Sequence, residues 1–229
     1  MCADWIEHAK RRAAIEAVKN IKDGFIVGLG SGSTAAYAIE EIGRRVKEEG
    51  LRVLGIPTSH QALILAIRNG IPITTLHEHP VIDLTIDGAD QIDPNLNLIK
   101  GMGGALTREK IIASASKNFI IVADERKLVN KLGGAQPLPI EILPFAQPLV
   151  TSKIMELGGK PRLRRVENMP YITDNGNFIL DVDFGVIENP AELNYRLKVI
   201  PGVIETGLFI GMAHMAYVGT RNGVKKITI

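Results

Sequence analysis

The sequence has a single cysteine, Cys2, so it can form neither an intrachain disulfide nor a thiolate metal cluster. It has no excess of one charge: 27 Lys and Arg face 25 Asp and Glu. A net charge of +2 offers no broad cationic field for nucleic acid or a lipid surface. No apolar run approaches the length of a membrane span, and the opening MCADWIEHAKRRAAIEAVKNI carries charges where a secretory signal needs an apolar stretch. Internal repeats and low-complexity tracts are missing as well. What remains, 45% hydrophobic and 23% charged residues, is the composition of an ordinary globular protein. Its 229 residues make one large domain, or one with a small satellite, at about 150 residues per domain. The expectation is a soluble protein of a reducing compartment, the cytoplasm.

Ile6, Ala9, Ala13, Val18 and Ile21 recur near helical spacing with Lys10, Arg11 and Arg12 between them, which predicts an amphipathic first helix. Phe25–Leu29, Leu51–Ile56, Val81–Ile86 and Phe119–Val122 are short apolar runs that read as buried strands. Helical stretches beginning near Ala35, His60 and Thr107 separate them, and that alternation predicts a parallel sheet covered on both faces. Beyond Gly133-Gly134 the pattern changes to β-α-β-β-α-β, the order of a split βαβ unit. In the run 178–184, Phe178, Leu180, Val182 and Phe184 share one face and Asp181 and Asp183 the other, as in a half-exposed antiparallel strand. Ala216–Gly219 reads as a strand returning to the first sheet. The predicted fold is α/β, with a Rossmann-like parallel-sheet domain (residues 1–130 and 207–229) and helices on both its faces. A smaller ferredoxin-like α+β domain fills residues 131–206.

Three stretches carry chemistry. Gly28-Leu29-Gly30-Ser31-Gly32-Ser33-Thr34 joins a strand to a helix, and its glycines, outward amides and hydroxyls suit an anion such as phosphate. The same residues also suit a plain strand–helix turn with Ser33 or Thr34 as its cap. The spacing departs from G-x-G-x-x-G, and no Gly-Lys-Ser/Thr follows, which argues against a dinucleotide or triphosphate loop. Asp87-Gly88-Ala89-Asp90 follows the third strand directly, where ligands bind in open sheets. Its carboxylates suit proton transfer or a divalent metal, and equally the capping of an acidic turn.

In Lys100-Gly101-Met102-Gly103-Gly104-Ala105-Leu106-Thr107-Arg108-Glu109, glycines expose successive amides after a lysine, and Glu109 falls in the first turn of a helix. The helix dipole there favours an ionised carboxylate, which makes Glu109 a candidate base. Lys100 and the glycine amides suit a developing oxyanion. Taken singly, Glu109 reads as a helix-start charge and Lys100 as a solvated strand end. Lys127 reads as part of a solvent-facing charge cluster, and His77-Glu78-His79 lacks a third metal ligand.

Together, Gly30–Ala36, Asp87–Asp90 and Lys100–Lys110 resemble type A ribose-5-phosphate isomerase, and the likeness runs from about Lys10 to Val224. The resemblance implies an aldose–ketose isomerase that interconverts ribose 5-phosphate and ribulose 5-phosphate without metal or organic cofactor. It implies Glu109 as the base, with Asp87, Asp90 and Lys100 beside it in catalysis. Substrate contacts are implied for Ser31, Gly32, Ser33, Thr34, Gly88, Ala89, Gly101, Met102, Gly103 and Lys127. Met102 stands where many members have glycine, which puts in question any contact needing positive φ. A homodimer or homotetramer is implied, with the smaller domain supplying subunit contacts. Two other classes stay open: a sugar-phosphate sensor without catalysis, and a related coenzyme A transferase or amino-sugar-phosphate deaminase.

Overall fold

The computed structural model describes residues 4–228, so Cys2 lies outside the described residues. Helix α1 (Asp4–Val18) leads into β1 (Ile26–Leu29), α2 (Ser33–Glu49), β2 (Leu54–Pro57) and α3 (His60–Arg68). Next come β3 (Leu84–Gly88), β4 (Gln91–Ile92), β5 (Leu98–Ile99), α4 (Leu106–Ser114) and β6 (Phe119–Asp124). Strand β7 (Leu138–Ile142), α5 (Gln147–Glu156) and β8 (Lys160–Leu163) precede the short β9 (Arg165–Val166) and β10 (Met169–Pro170). The chain closes with β11 (Phe178–Asp183), α6 (Pro190–Lys198), β12 (Val203–Thr206), β13 (Leu208–Phe209), β14 (Met215–Gly219) and β15 (Val224–Thr228). Among the described residues no helix is long and apolar enough to cross a membrane.

Two compact units share these elements: residues up to 89, 108–128 and from 211 onward form the first, and residues 90–107 and 129–210 the second. The first unit holds a six-stranded sheet in the order β15-β14-β6-β3-β1-β2. All its neighbours are parallel except β14 and β15. Alternation along the strands sends Val27, Leu29, Leu84, Ile86, Ile120 and Val122 into one core with α1, α2 and α3. Ile26, Ile56 and Ile82 belong to a separate cluster with Ile112 of α4. Alanines 9, 13, 14 and 17 are all fully buried, and Gly219 approaches so closely that a Cβ there would lie 2.0 Å from the Ala9 carbonyl.

The predicted return of Ala216–Gly219 holds, because β14 lies parallel to β6. The all-parallel expectation is corrected by β15, which the sequence reading left out. Lys225 and Lys226 obscure its apolar pattern, and a charged strand suits a sheet edge.

In the second unit a four-stranded antiparallel sheet runs β12-β7-β11-β8. The chain order β7-α5-β8-β11-α6-β12 follows the predicted pattern, with the β9–β10 hairpin inserted before β11. Leu180 and Val182 enter the core with Ile140, Ile142, Val150, Ile154 and Leu197, as the alternation requires. Ile179, on the other face, is buried too, beside its register partner Glu141. Strands β13, β5 and β4 form a third, small sheet; two residues each, they carry no periodicity to read.

Asp83 ties together the start of the first sheet. Its Oδ2 accepts the Ile26 N–H at 2.9 Å, and its Oδ1 accepts from Lys117 Nζ at 2.8 Å. The Lys117 hydrogen bond holds the Asp83 carboxyl below its ordinary value; partial burial opposes this and the Ile26 N–H adds to it. Folding therefore favours the ionised form, and the stabilisation is complete above the unfolded pKa and lost as the pH falls through the lowered folded one. Asp83→Asn is expected to lower stability by about 1 kcal/mol at pH 7. The gap to the parent should close as the pH falls below about 4, measured by urea denaturation across pH.

Candidate active site

In the first unit, β2 lies on one side of β1 and every other strand on the opposite side, so the sheet order switches between β1 and β3. Open parallel sheets bind ligands at the carboxyl ends of strands at such a switch. Asp87, fully buried, is the penultimate residue of β3 there, and its Oδ1 accepts the N–H groups of Ser31 (3.0 Å) and Gly88 (2.7 Å). Gly30 makes this approach possible, since a Cβ at that position would come within 2.3 Å of Asp87 Oδ1. Ser31, Gly88 and Asp87 are thus brought together.

The hydroxyl of Ser31 lies 2.7 Å from Thr58 Oγ1 and 2.6 Å from Ser59 Oγ, at the end of β2. Thr58 is anchored on the Leu29 carbonyl, and Ser59 caps α3 by accepting the Ala62 N–H. Sequence reasoning missed both, because neither belongs to the three stretches that carry chemistry.

The turn before α2 corrects the capping alternative. Gly32 is the cap residue, at φ 94°, and no side chain caps the helix. Positive φ is readily available only to glycine, and Ser33 is left exposed at the first position of the helix. Lys10 Nζ donates to Ser33 Oγ at 3.1 Å, which brings a cation to the positive end of a 17-residue helix. Lys10 is the second omission of the sequence reading, where it served only as a polar position of α1. It also pairs with Glu7 at 2.8 Å, and Glu7 accepts the Tyr37 hydroxyl at 2.8 Å. Hydrogen bonds from Lys10 and Tyr37 keep the Glu7 carboxyl below its usual range.

Glu109 lies in the first turn of α4 and is buried. Lys127 stands half-buried in the short turn Glu125–Lys127 that follows β6. Asp124 caps that turn and pairs with Arg126 at 2.7 Å; burial pushes the Asp124 carboxyl up, but Arg126 holds it net below normal.

The second unit carries Asp90, Lys100 and the glycine loop. Lys100 is buried, not solvated: its N–H donates to the Gly207 carbonyl at 2.9 Å, and its ammonium lies 5.5 Å from the centre of the Phe209 ring. Asp90 Oδ2 accepts the Met102 N–H at 3.0 Å. Gly101 and Gly104 have φ of 106° and 82°, but Met102 does not share the positive-φ conformation, so its side chain costs the loop nothing. Glu141, fully buried, takes Thr107 Oγ1 at 2.6 Å near the start of α4. It also accepts from Thr173, Asn175 and Asn177.

In the His77–His79 run, Glu78 accepts from Thr74 Oγ1 at 2.7 Å. Elsewhere, His214 Nδ1 accepts the Phe119 N–H at 3.0 Å.

The model for ribose 5-phosphate isomerase A (phosphoriboisomerase A) matches residues 54–223. A ribose-5-phosphate isomerase A from Methanothermobacter thermautotrophicus is 52% identical over 218 residues, covering 94% of this chain and 96% of that protein. One from Pyrococcus horikoshii is 47% identical, covering 97% and 98%. The solved ribose 5-phosphate isomerase A of Methanocaldococcus jannaschii superposes with a TM-score of 0.94 at 44% identity, covering 97% and 99%. A D-ribose-5-phosphate isomerase solved in complex with phospho-erythronic acid gives 0.95 at 46%, covering 98% and 99%. The switch-point aspartate, the glycine loop and the glutamate at the start of α4 thus stand in a chain matched nearly end to end, and the chain belongs to the ribose-5-phosphate isomerase A family.

Proposed function

We propose that this chain interconverts D-ribose 5-phosphate and D-ribulose 5-phosphate, a step of the pentose phosphate pathway, through a cis-enediolate and without metal or organic cofactor. Glu109 removes the proton from C2 and returns it to C1, while the proton on O2 leaves and O1 gains one. Lys100 and the amides of Gly101, Met102 and Gly103 balance the negative charge as it moves between O1 and O2. Asp87 or Asp90 assists opening of the furanose ring. Ser31, Gly32, Ser33 and Thr34, with Lys10 and Lys127, grip the phosphate, and Gly88 and Ala89 line the substrate's path. Binding energy from that remote phosphate orients the reactive end.

The observation that carries this reading is the buried Glu109 in the first turn of α4, in a chain of this family. A helix start favours negative charge, so the carboxylate suits proton abstraction at neutral pH. The strand order of the larger sheet supports a Rossmann-like reading, and β12-β7-β11-β8 supports a ferredoxin-like one. We place the enzyme in the cytoplasm and take residues 131–206 as the smaller domain. That domain supplies the contacts of a homodimer or homotetramer: Phe145 is 93% exposed, beside the exposed Leu143 and Leu149, an apolar patch suited to a second copy.

Glu109→Gln is expected to lower turnover by roughly a thousandfold or more, with KM changed little, in an assay of ketose formation from ribose 5-phosphate. Near-native turnover would remove Glu109 as the base. Lys10→Ala is expected to raise KM about tenfold, and an unchanged KM would take Lys10 out of the phosphate grip. Phe145→Glu is expected to shift the sedimentation coefficient to that of a smaller species; an unaltered oligomer would move the interface elsewhere.

A further inference from the structure

We propose that Arg164 is a positioning residue: its guanidinium, anchored on Asp181, holds the carbonyls of the glycine loop so that the loop amides face the reacting oxygens. The inference rests on the reading of that loop as an oxyanion cradle. Every group involved lies in the second unit.

Arg164 sits between β8 and β9, with its backbone tied to Ile179 and Tyr171. Its Nε donates to Asp181 Oδ2 at 2.8 Å, and Nη2 donates to Asp181 Oδ1. From the other edge of the plane, Nη1 donates to the carbonyls of Gly101 and Met102, each at 3.0 Å. The guanidinium lies 5.8 Å from the centre of the Tyr171 ring, and the Tyr171 hydroxyl donates to the Gly103 carbonyl at 3.3 Å. Three consecutive carbonyls are therefore held by Arg164 and Tyr171. The Gly101 carbonyl also closes a turn with the Gly104 N–H at 3.0 Å.

In a trans peptide the C=O and the following N–H point in opposite directions, and no described peptide bond is cis. Holding the Gly101 carbonyl turns the Met102 N–H away from Arg164, and this N–H is found on Asp90 Oδ2. Holding the Met102 carbonyl turns the Gly103 N–H away by the same rule. A loop with glycine at 101, 103 and 104 otherwise samples both signs of φ and would present its amides only part of the time. Arginine suits the task because its planar fork serves a carboxylate on one edge and carbonyls on another; lysine has a single point of charge. The pairing of Arg164 with Asp181 gives the second sheet a reason to carry an acid on that face of β11.

Arg164→Met, assayed with ribose 5-phosphate, is expected to lose about tenfold to a hundredfold in kcat with KM within about threefold of the parent. Arg164→Lys should share the loss, and added guanidinium ion should return part of the turnover to Arg164→Ala. Native kcat in folded Arg164→Met overturns the proposal, as does a raised KM at unchanged kcat. A loss of kcat that guanidinium does not relieve, with a lowered unfolding midpoint, assigns Arg164 to the fold alone and also overturns it. Should Arg164→Met fail to fold, Asp181→Asn decides. That variant keeps the guanidinium but loosens its anchor, and a kcat loss of about threefold or more at unchanged KM is expected. Native turnover there overturns the proposal. Glu109→Gln in the same assay separates the two levels. If it stays active, the reading of the whole site falls; if it is inactive beside a native Arg164→Met, only the clamp falls.

Discussion

Asp87 lies against the carboxyl end of β1 because position 30 has no side chain. A single methyl group there would meet the Asp87 carboxylate at 2.3 Å and its Cα at 2.5 Å. Two residues earlier on the same face, Gly28 leaves room for Thr85 Oγ1 and for Ile112 of α4. The glycine-paved face thus draws β3 in on one side and seats α4, the helix that bears Glu109, above it. A carboxylate stripped of water needs donors in place, and the Ser31 and Gly88 amides supply them. The placement of Asp87 is an outcome of that close approach.

The second unit treats its buried charges differently. Lys100 has the face of Phe209 beneath its ammonium, and Glu141 is surrounded by two threonines and two asparagines. Neutral donors hold the Glu141 carboxylate without cancelling its charge. Through Thr107 they also join the loop at 173–177 to the opening turn of α4. Such networks add rigidity when every member is satisfied.

How much of this was legible in the sequence depended on what each signal measures. Apolar runs such as Phe119–Val122 announced buried strands, because burial acts locally. The three motif stretches all fell at element ends, as expected for loops that carry function. Lys10, Thr58 and Ser59 stayed hidden, since each lies far along the chain from the residue it supports. The same holds for Arg164, more than sixty positions from the carbonyls it holds. Strand β15 was lost to its two lysines, and β4, β5 and β13 to their brevity. Taken singly, Lys100 read as a solvated strand end, because a sequence does not show that Phe209 will lie under it. Long-range packing decided the cases of Lys10, Thr58, Ser59, Lys100 and Arg164.

Strand β14 carries a consequence for the order of synthesis. It occupies an interior place in the six-stranded sheet, between β6 and β15, and α1 packs against it, yet its residues are 215–219. During translation β6 is made before its sheet neighbour β14, which follows about ninety residues further along the chain. Until then β6 presents an open edge while residues 129–210 of the second unit are made. Over that interval the nascent chain carries the edge unpaired, the kind of surface that chaperones shield.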